Sequence, residues 1–322
     1  MEIVTADIGG THARFAIATL ENGRVASLSD PVTLATADHT DLRAAWTAFM
    51  RAMGRHLPRA GAIAVAAPIH GEIVRMTNGS WTFRPDLLAE QLGLDAHILI
   101  NDFAAVAYAV GAVDDNHLAH IAGPKTPLPK HGAISVVGPG TGLGVALLWR
   151  ETGKTYVIPT EGGHSDFAPL DAFDDRLLAH LRARHDRVSI ERVASGPGLR
   201  AIYEALARRE RCEVPPGDDK ALWSRALGQV DSLDTAALER FCMTLGAIAG
   251  DIALAHGPCP VVIAGGLGLR LRESLPRSGF HDRFVAKGRY RALMETQPVY
   301  LITHPEPGLY GAAAGFAQEH AQ

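Results

Sequence analysis

Cysteine is scarce in this chain: Cys212, Cys242 and Cys259 are the three among 322 residues. An odd number without C-x-x-C spacing argues against both a disulfide framework and a cysteine-rich zinc site, and it fits a reducing cytoplasm. Basic runs are equally sparse. A mixture such as Arg208-Arg209-Glu210-Arg211 is broken by an acid, and 31 Lys and Arg against 35 Asp and Glu leave a net charge of −4. Nucleic acid is therefore not an expected partner. No uncharged apolar run approaches membrane-spanning length, and no basic segment with an apolar core follows Met1, so the expectation is a soluble, unexported protein with no membrane partner. Neither a Walker loop nor a dinucleotide fingerprint occurs, because the required lysine and helix opening are missing. What is left is 47% apolar and 20% charged, an ordinary globular composition with length for two packed domains or one large one.

Glycine placed directly after strands is the informative feature. Met1 to Ala6 reads as a strand, the chain turns through Asp7-Ile8-Gly9-Gly10-Thr11-His12, and Ala13 to Leu20 reads as a second strand. Gly9 and Gly10 let the backbone come close to a ligand and aim N–H groups at it, Thr11 adds a hydroxyl, and Asp7 adds a carboxylate suited to Mg²⁺ through water. A glycine hairpin accounts for the pair equally well. The plan recurs where Ala133 to Val137 runs into Gly138-Pro139-Gly140-Thr141-Gly142-Leu143-Gly144 and out through Val145 to Trp149. Four glycines in seven residues between apolar strands favour an anion cradle over a hairpin. One such unit in each half suggests an internal duplication.

Between them, the apolar run Ile98-Leu99-Ile100 stops at Asn101-Asp102-Phe103 and gives way to the small residues of a packed helix, Ala104 to Val110. In open α/β sheets ligands bind beyond such strand ends, so Asp102 stands where a base would meet a substrate hydroxyl. Helix capping explains an Asn or an Asp here as well, and the stretch alone leaves both readings open. Further along, Glu161 and His164 flank Gly162-Gly163. They lack the second histidine pair of a metal site and suit adjacent sugar hydroxyls better. Glu191, before Ser195-Gly196-Pro197-Gly198, is a third polar contact or an exposed helix residue, and Asn78 is a ligand contact or part of a linking loop. Gly265-Gly266, after the strand Pro260 to Ala264, offers a flat surface for a purine or a tight strand-to-helix turn. Leu42, Trp46, Phe49 and Met53 share one face of a helix expected from about 38 to 56. A long scaffold helix is expected from about 234 to 255. The proline-rich stretch Gly123 to Pro129 suggests a domain boundary near 111.

In this order the landmarks resemble the bacterial glucokinase family of the actin-like sugar kinase and chaperone ATPase superfamily, in its zinc-free branch. The matching stretches are Asp7 to Thr11, Asn101 to Phe103, Gly138 to Gly144, Glu161 to His164, Glu191-Arg192-Val193 with Ser195 to Gly198, Gly265-Gly266 and His304-Pro305-Glu306-Pro307-Gly308-Leu309. The resemblance implies an α/β, two-domain actin-like (ribonuclease H-like) ATPase fold around a central cleft. Residues 1–110 plus 301–322 would form the smaller domain and 111–300 the larger. It implies a cytoplasmic enzyme that phosphorylates glucose at the 6-hydroxyl with ATP and Mg²⁺, the opening step of glycolysis, and it is compatible with a homodimer. Asp102 would be the general base; Asn101, Glu161, His164 and Glu191 would contact sugar hydroxyls. Asp7, Gly9, Gly10 and Thr11 would form the first phosphate site, Gly138, Gly140, Thr141 and Gly142 the second, and Gly265 and Gly266 the adenosine turn. His12 departs from the family, which usually has Asn there. The alternatives are a kinase for mannose, fructose or glucosamine, a silent sugar sensor, or an actin-like ATPase.

Overall fold

The computed structural model describes residues 1–77 and 79–320. The chain opens with β1 (Glu2–Ile8) and β2 (His12–Glu21), antiparallel from Glu2 opposite Thr19 to Ile8 opposite Ala13. β3 (Arg24–Leu28) and β4 (Val32–Ala35) both pair with β2. Helix α1 (Leu42–Met53) is shorter than the expected 38–56 and ends with the apolar stripe itself. Asp41 takes the N-cap position, accepting the Ala44 N–H at 2.8 Å, and Gly54 at φ 61° ends the helix. Its buried face meets β2 through Phe15, whose ring lies 6.1 Å from Trp46 and 5.2 Å from Phe49. Every residue of β5 (Ala60–Val65) is buried, as befits a central parallel strand, and it lies beside β1. A two-stranded ribbon, β6 (Val74–Arg75) and β7 (Thr82–Phe83), and the short helix α2 (Leu88–Leu92) lead to β8 (Ala96–Asn101), parallel to β5, and to α3 (Asp102–Ala112).

The second sheet repeats this design. After β9 (Leu118–Ala122), β10 (Gly132–Pro139) and β11 (Leu143–Glu151) form an antiparallel pair joined at the glycine loop, followed by β12 (Lys154–Thr160). Helices α4 (Ala172–Arg182), α5 (Gly198–Glu210), α6 (Asp219–Gly228) and α7 (Ser232–Ala255) come next. The chain then forms β13 (Val261–Ile263), α8 (Gly265–Arg270), α9 (Phe280–Val285), α10 (Arg291–Met294) and β14 (Val299–Ile302). The first sheet runs β3-β2-β1-β5-β8 and the second β12-β11-β10-β13-β14, with β9 added at its edge. Counted within each five-strand path, both orders are third, second, first, fourth, fifth. The two glycine loops stand at the same topological place, between the first and second strands.

Helix α11 (Pro307–Glu319) belongs with the first sheet. It buries Ala312, Ala313 and Phe316 in one core with Ile3, Ala62, Ile98 and Ala105, and the buried Thr5 hydroxyl donates to the Leu309 carbonyl at 2.7 Å. One compact unit thus comprises Met1–Asp114, Glu151–Pro159 and 304–320; the other comprises Asp115–Arg150 and Thr160–Thr303. The second unit has its own core, in which α7 is packed through Phe241, Leu245 and Ile248. Among the described residues no helix is long and apolar enough to cross a membrane.

Candidate active site

In the first unit, β8 ends and α3 begins at the Asn101–Asp102 step. Asn101 is the helix cap: its Oδ1 accepts the Phe103 N–H at 2.9 Å and the Ala104 N–H at 3.1 Å. Its Nδ2 donates to the Ala67 carbonyl and to Asp102 Oδ1, both at 3.1 Å. Two lone pairs and two protons exhaust an amide's capacity, so a sugar hydroxyl would reach Asn101 in exchange for one of these bonds. Capping therefore falls to Asn101, and Asp102 stands in the first turn with Oδ1 also accepting its neighbour's N–H at 2.9 Å. Burial raises the Asp102 carboxyl to about 6, the negative charge of Asp7 adds to the rise, and the bonds from Phe103 and Asn101 oppose it.

Asp7, at the end of β1, is itself raised, first by burial and further by the charge of Glu306, against the pull of Arg14. Arg14 lies 3.7 Å from Asp7 and 3.8 Å from Glu306. The turn that opens α11 presses on the same carboxylate: a Cβ at Gly308 would come within 2.7 Å of Asp7 Oδ2. The loop Gly9-Gly10-Thr11 is closed by the Gly9 N–H, which donates to the His12 carbonyl at 2.9 Å, and the exposed His12 faces Ala35 of β4 in the strand register. Thr36 grips this loop from the side, its hydroxyl donating to the Gly10 carbonyl at 2.7 Å and its N–H to the Thr11 carbonyl at 3.0 Å.

In the second unit the glycine loop between β10 and β11 is a hub. Within it the Gly140 N–H donates to the Gly142 carbonyl at 2.8 Å, and the Gly196 N–H donates to the Gly140 carbonyl at 2.7 Å. Glu191 Oε2 accepts the Leu143 N–H at 2.9 Å and lies where a Cβ on Gly142 would stand. Glu191 thus buttresses the loop. Gly265 begins α8 at φ 78°, a conformation that favours glycine, and a Cβ there would meet the Pro139 carbonyl at 2.8 Å. The strand-to-helix turn and the loop's edge are therefore in contact. Beside Gly266 there is open space. Gly163 packs against the Leu143 carbonyl with no room for a side chain. This brings in the short 3-10 turn Gly162–His164, on which Glu161 and His164 project, 72% and 58% exposed and 4.0 Å apart. The Ser165 carbonyl accepts the Ile190 N–H at 2.8 Å, tying that turn to the segment carrying Glu191.

Each unit therefore gathers its own share of the expected residues: Asp7, Gly9, Gly10, Thr11, Asn101 and Asp102 in the first, the remainder in the second. Asn78 lies outside the described residues. Sequence reasoning singles out neither Arg14 nor Thr36, and it names Glu306 only within the stretch His304 to Leu309. Arg14 carries a faint signal, an arginine in an otherwise apolar strand directly after a glycine loop; Thr36 carries none. Among the described residues no cluster of three or more His, Cys, Asp or Glu is placed to hold a metal ion.

A family model described as Glucokinase matches residues 4–319. A glucokinase of Zymomonas mobilis subsp. mobilis is 56% identical over 322 residues, covering 100% of this chain and 99% of its own. The crystal structure of a glucokinase from an Antarctic psychrotroph superposes with a TM-score of 0.86 at 34% identity, over 98% of both chains. That of a Balamuthia mandrillaris glucokinase in complex with glucose, at 21% identity, shares the fold with a TM-score of 0.79 over 98% of this chain and 93% of its own.

Proposed function

This chain belongs to the glucokinase family, and from that premise we propose that it transfers the γ-phosphoryl group of ATP to the 6-hydroxyl of D-glucose with Asp102 as general base. The enzyme is a sugar kinase on the actin-like two-domain ATPase fold. The observation that carries the assignment of the base is the Asp102 carboxylate, fixed through Oδ1 at the end of β8 and raised to about 6. A base of that strength is ionised at neutral pH yet basic enough to take a proton from a hydroxyl as the O–P bond forms.

Phosphoryl transfer passes through a loose transition state, so the protein mainly aligns the reactants and offsets charge. Gly9 and Gly140 close the two loops with their own N–H groups; the N–H groups of Gly10 and Thr11 in the first and of Thr141 and Gly142 in the second bind phosphate oxygens, and the turn at Gly265-Gly266 receives the adenosine. Glu161 and His164 accept from and donate to sugar hydroxyls, and Glu191 adds a third contact from the oxygen that Leu143 does not use. Asp7, a covered carboxylate beside the first loop whose nearest cation is 3.7 Å away, has the hard oxygen chemistry that would hold the nucleotide's Mg²⁺ through hydration water, and the ion would there offset polyphosphate charge. These substrates place the reaction in the cytoplasm.

The test is to mix the protein with MgATP and a panel of hexoses, measuring ADP and sugar phosphate separately. ADP matched one for one by glucose 6-phosphate, and little ADP without sugar, is the expected result. Matching product from another hexose would move the substrate assignment, and ADP without sugar phosphate would replace it with an ATPase.

A further inference from the structure

We propose that Thr36 is a positioning residue for the nucleotide: it sets the first glycine loop so that the Thr11 N–H faces a phosphate oxygen before ATP arrives. The inference rests on reading Gly9-Gly10-Thr11 as a phosphate loop.

Thr36 follows β4 and opens the single 3-10 turn Thr36–Asp38; it is 8% exposed. Two of its groups act on two successive carbonyls, the hydroxyl on Gly10 at 2.7 Å and the N–H on Thr11 at 3.0 Å. In a trans peptide the C=O of one residue and the N–H of the next point in opposite directions. Drawing the Gly10 carbonyl toward Thr36 therefore turns the Thr11 N–H away from it, and drawing the Thr11 carbonyl does the same to the His12 N–H. The Thr11 N–H has no acceptor among the described residues. Thr11 itself is exposed, so this donor is aimed outward rather than consumed by the fold.

The need for such a brace follows from the glycines. Gly9 and Gly10 allow close approach of a ligand, but they also leave the unbraced loop many conformations, and ordering it on binding would cost affinity. Thr36 makes the selection in advance, which is preorganisation by a residue that touches no substrate. His12, beside Thr11, is held in the same way: its register partner is Ala35, the residue before Thr36. The non-asparagine at position 12 therefore stands at a strand start whose backbone direction is fixed from β4.

The hydroxyl is the separable part. Thr36→Val keeps the branched shape and the N–H and removes one bond; Thr36→Ser keeps the hydroxyl. We expect Val to raise KM for ATP by about fivefold to tenfold, the worth of one hydrogen bond. KM for glucose should stay within about twofold, and Ser should stay close to the parent in both. The dissociation constant for MgADP, titrated calorimetrically, should rise with KM for ATP. An unchanged KM for ATP in Thr36→Val, an equal loss in Thr36→Ser, or a parallel rise for glucose would each overturn the inference. Thr36→Ala repeats the comparison should the Val protein not fold. A parent protein that phosphorylates glucose but binds no MgADP would instead refute the phosphate-loop reading itself.

Discussion

The Asn101 side chain donates to Asp102 Oδ1 at 3.1 Å while its own oxygen caps α3 through the Phe103 and Ala104 N–H groups. One amide thereby couples the start of a helix to the aim of a carboxylate. Whatever secures the cap also secures the proposed base.

Asp102→Asn separates chemistry from binding. Turnover should fall at least ~100-fold, the scale of a general base, with KM for glucose changed little; near-normal turnover would remove Asp102 from the mechanism. In the parent, kcat/KM should decline as pH falls through about 6, because the base works only when ionised. Stability has the opposite sign. A carboxyl raised from 3.8 to about 6 on folding favours the neutral protein, so its contribution is complete below about 4 and lost as pH rises through 6. Asp102→Asn should therefore be more stable than the parent at pH 7.5, by up to about 3 kcal/mol, and show no advantage at pH 4. Thermal melts at the two pH values check this.

Asn101→Asp retains an oxygen for the cap and replaces the amide donor with a like charge beside Asp102. The helix should be kept, and the acidic limb of the pH profile should move upward, since a neighbouring carboxylate disfavours ionisation. A limb that stays in place would show that the pair is not coupled.

Glu161 and Glu191 should differ in kind. Glu161 projects from an exposed turn, so Glu161→Leu should raise KM for glucose and leave KM for ATP near the parent value. Glu191 also holds the Leu143 N–H at the glycine loop, so Glu191→Leu should raise both. Steady-state kinetics with each substrate varied in turn distinguish the two patterns.

Gly311 of α11 lies against the Ala105 carbonyl of α3, with no space for a Cβ. Gly311→Ala would improve helix propensity by ~1 kcal/mol, yet it must push the two helices apart. Overpacking costs typically ~1–3 kcal/mol and occasionally more, so we expect a lower melting temperature. An unchanged or higher one would mean that the helices separate freely.

Much of this was legible in the sequence because the signals are local. Strand, glycine loop and strand appear as contiguous runs, and their recurrence anticipated the two sheets of matching strand order. The apolar run ending at Asn101-Asp102 marked the strand end, though not which of the two residues caps the helix, since either side chain can. The start of α1 departs from the expected one near 38 for a related reason: Asp38, Thr40 and Asp41 are all able to cap, and the fold selects Asp41. What could not be read is what joins distant segments. Glu191 reaches Leu143 across 48 residues and Thr36 reaches Gly10 across 26, and no spacing rule encodes such bonds. Asp7 and Glu306, nearly the whole chain apart, share the Arg14 guanidinium for the same reason.

The placement of α11 has a consequence for synthesis. A ribosome makes proteins from the first residue onward, at ~5–20 residues per second, and domains ordinarily fold in that order. Here the first sheet emerges early but cannot bury Ile3, Ala62 and Ile98 properly until Ala312, Ala313 and Phe316 follow. Its partner unit, complete at Thr303, has all its residues sooner. The unit that carries Asp102 is begun before the other and finished after it, so a nascent chain has no assembled Asp7–Arg14–Glu306 cluster until α11 has been made.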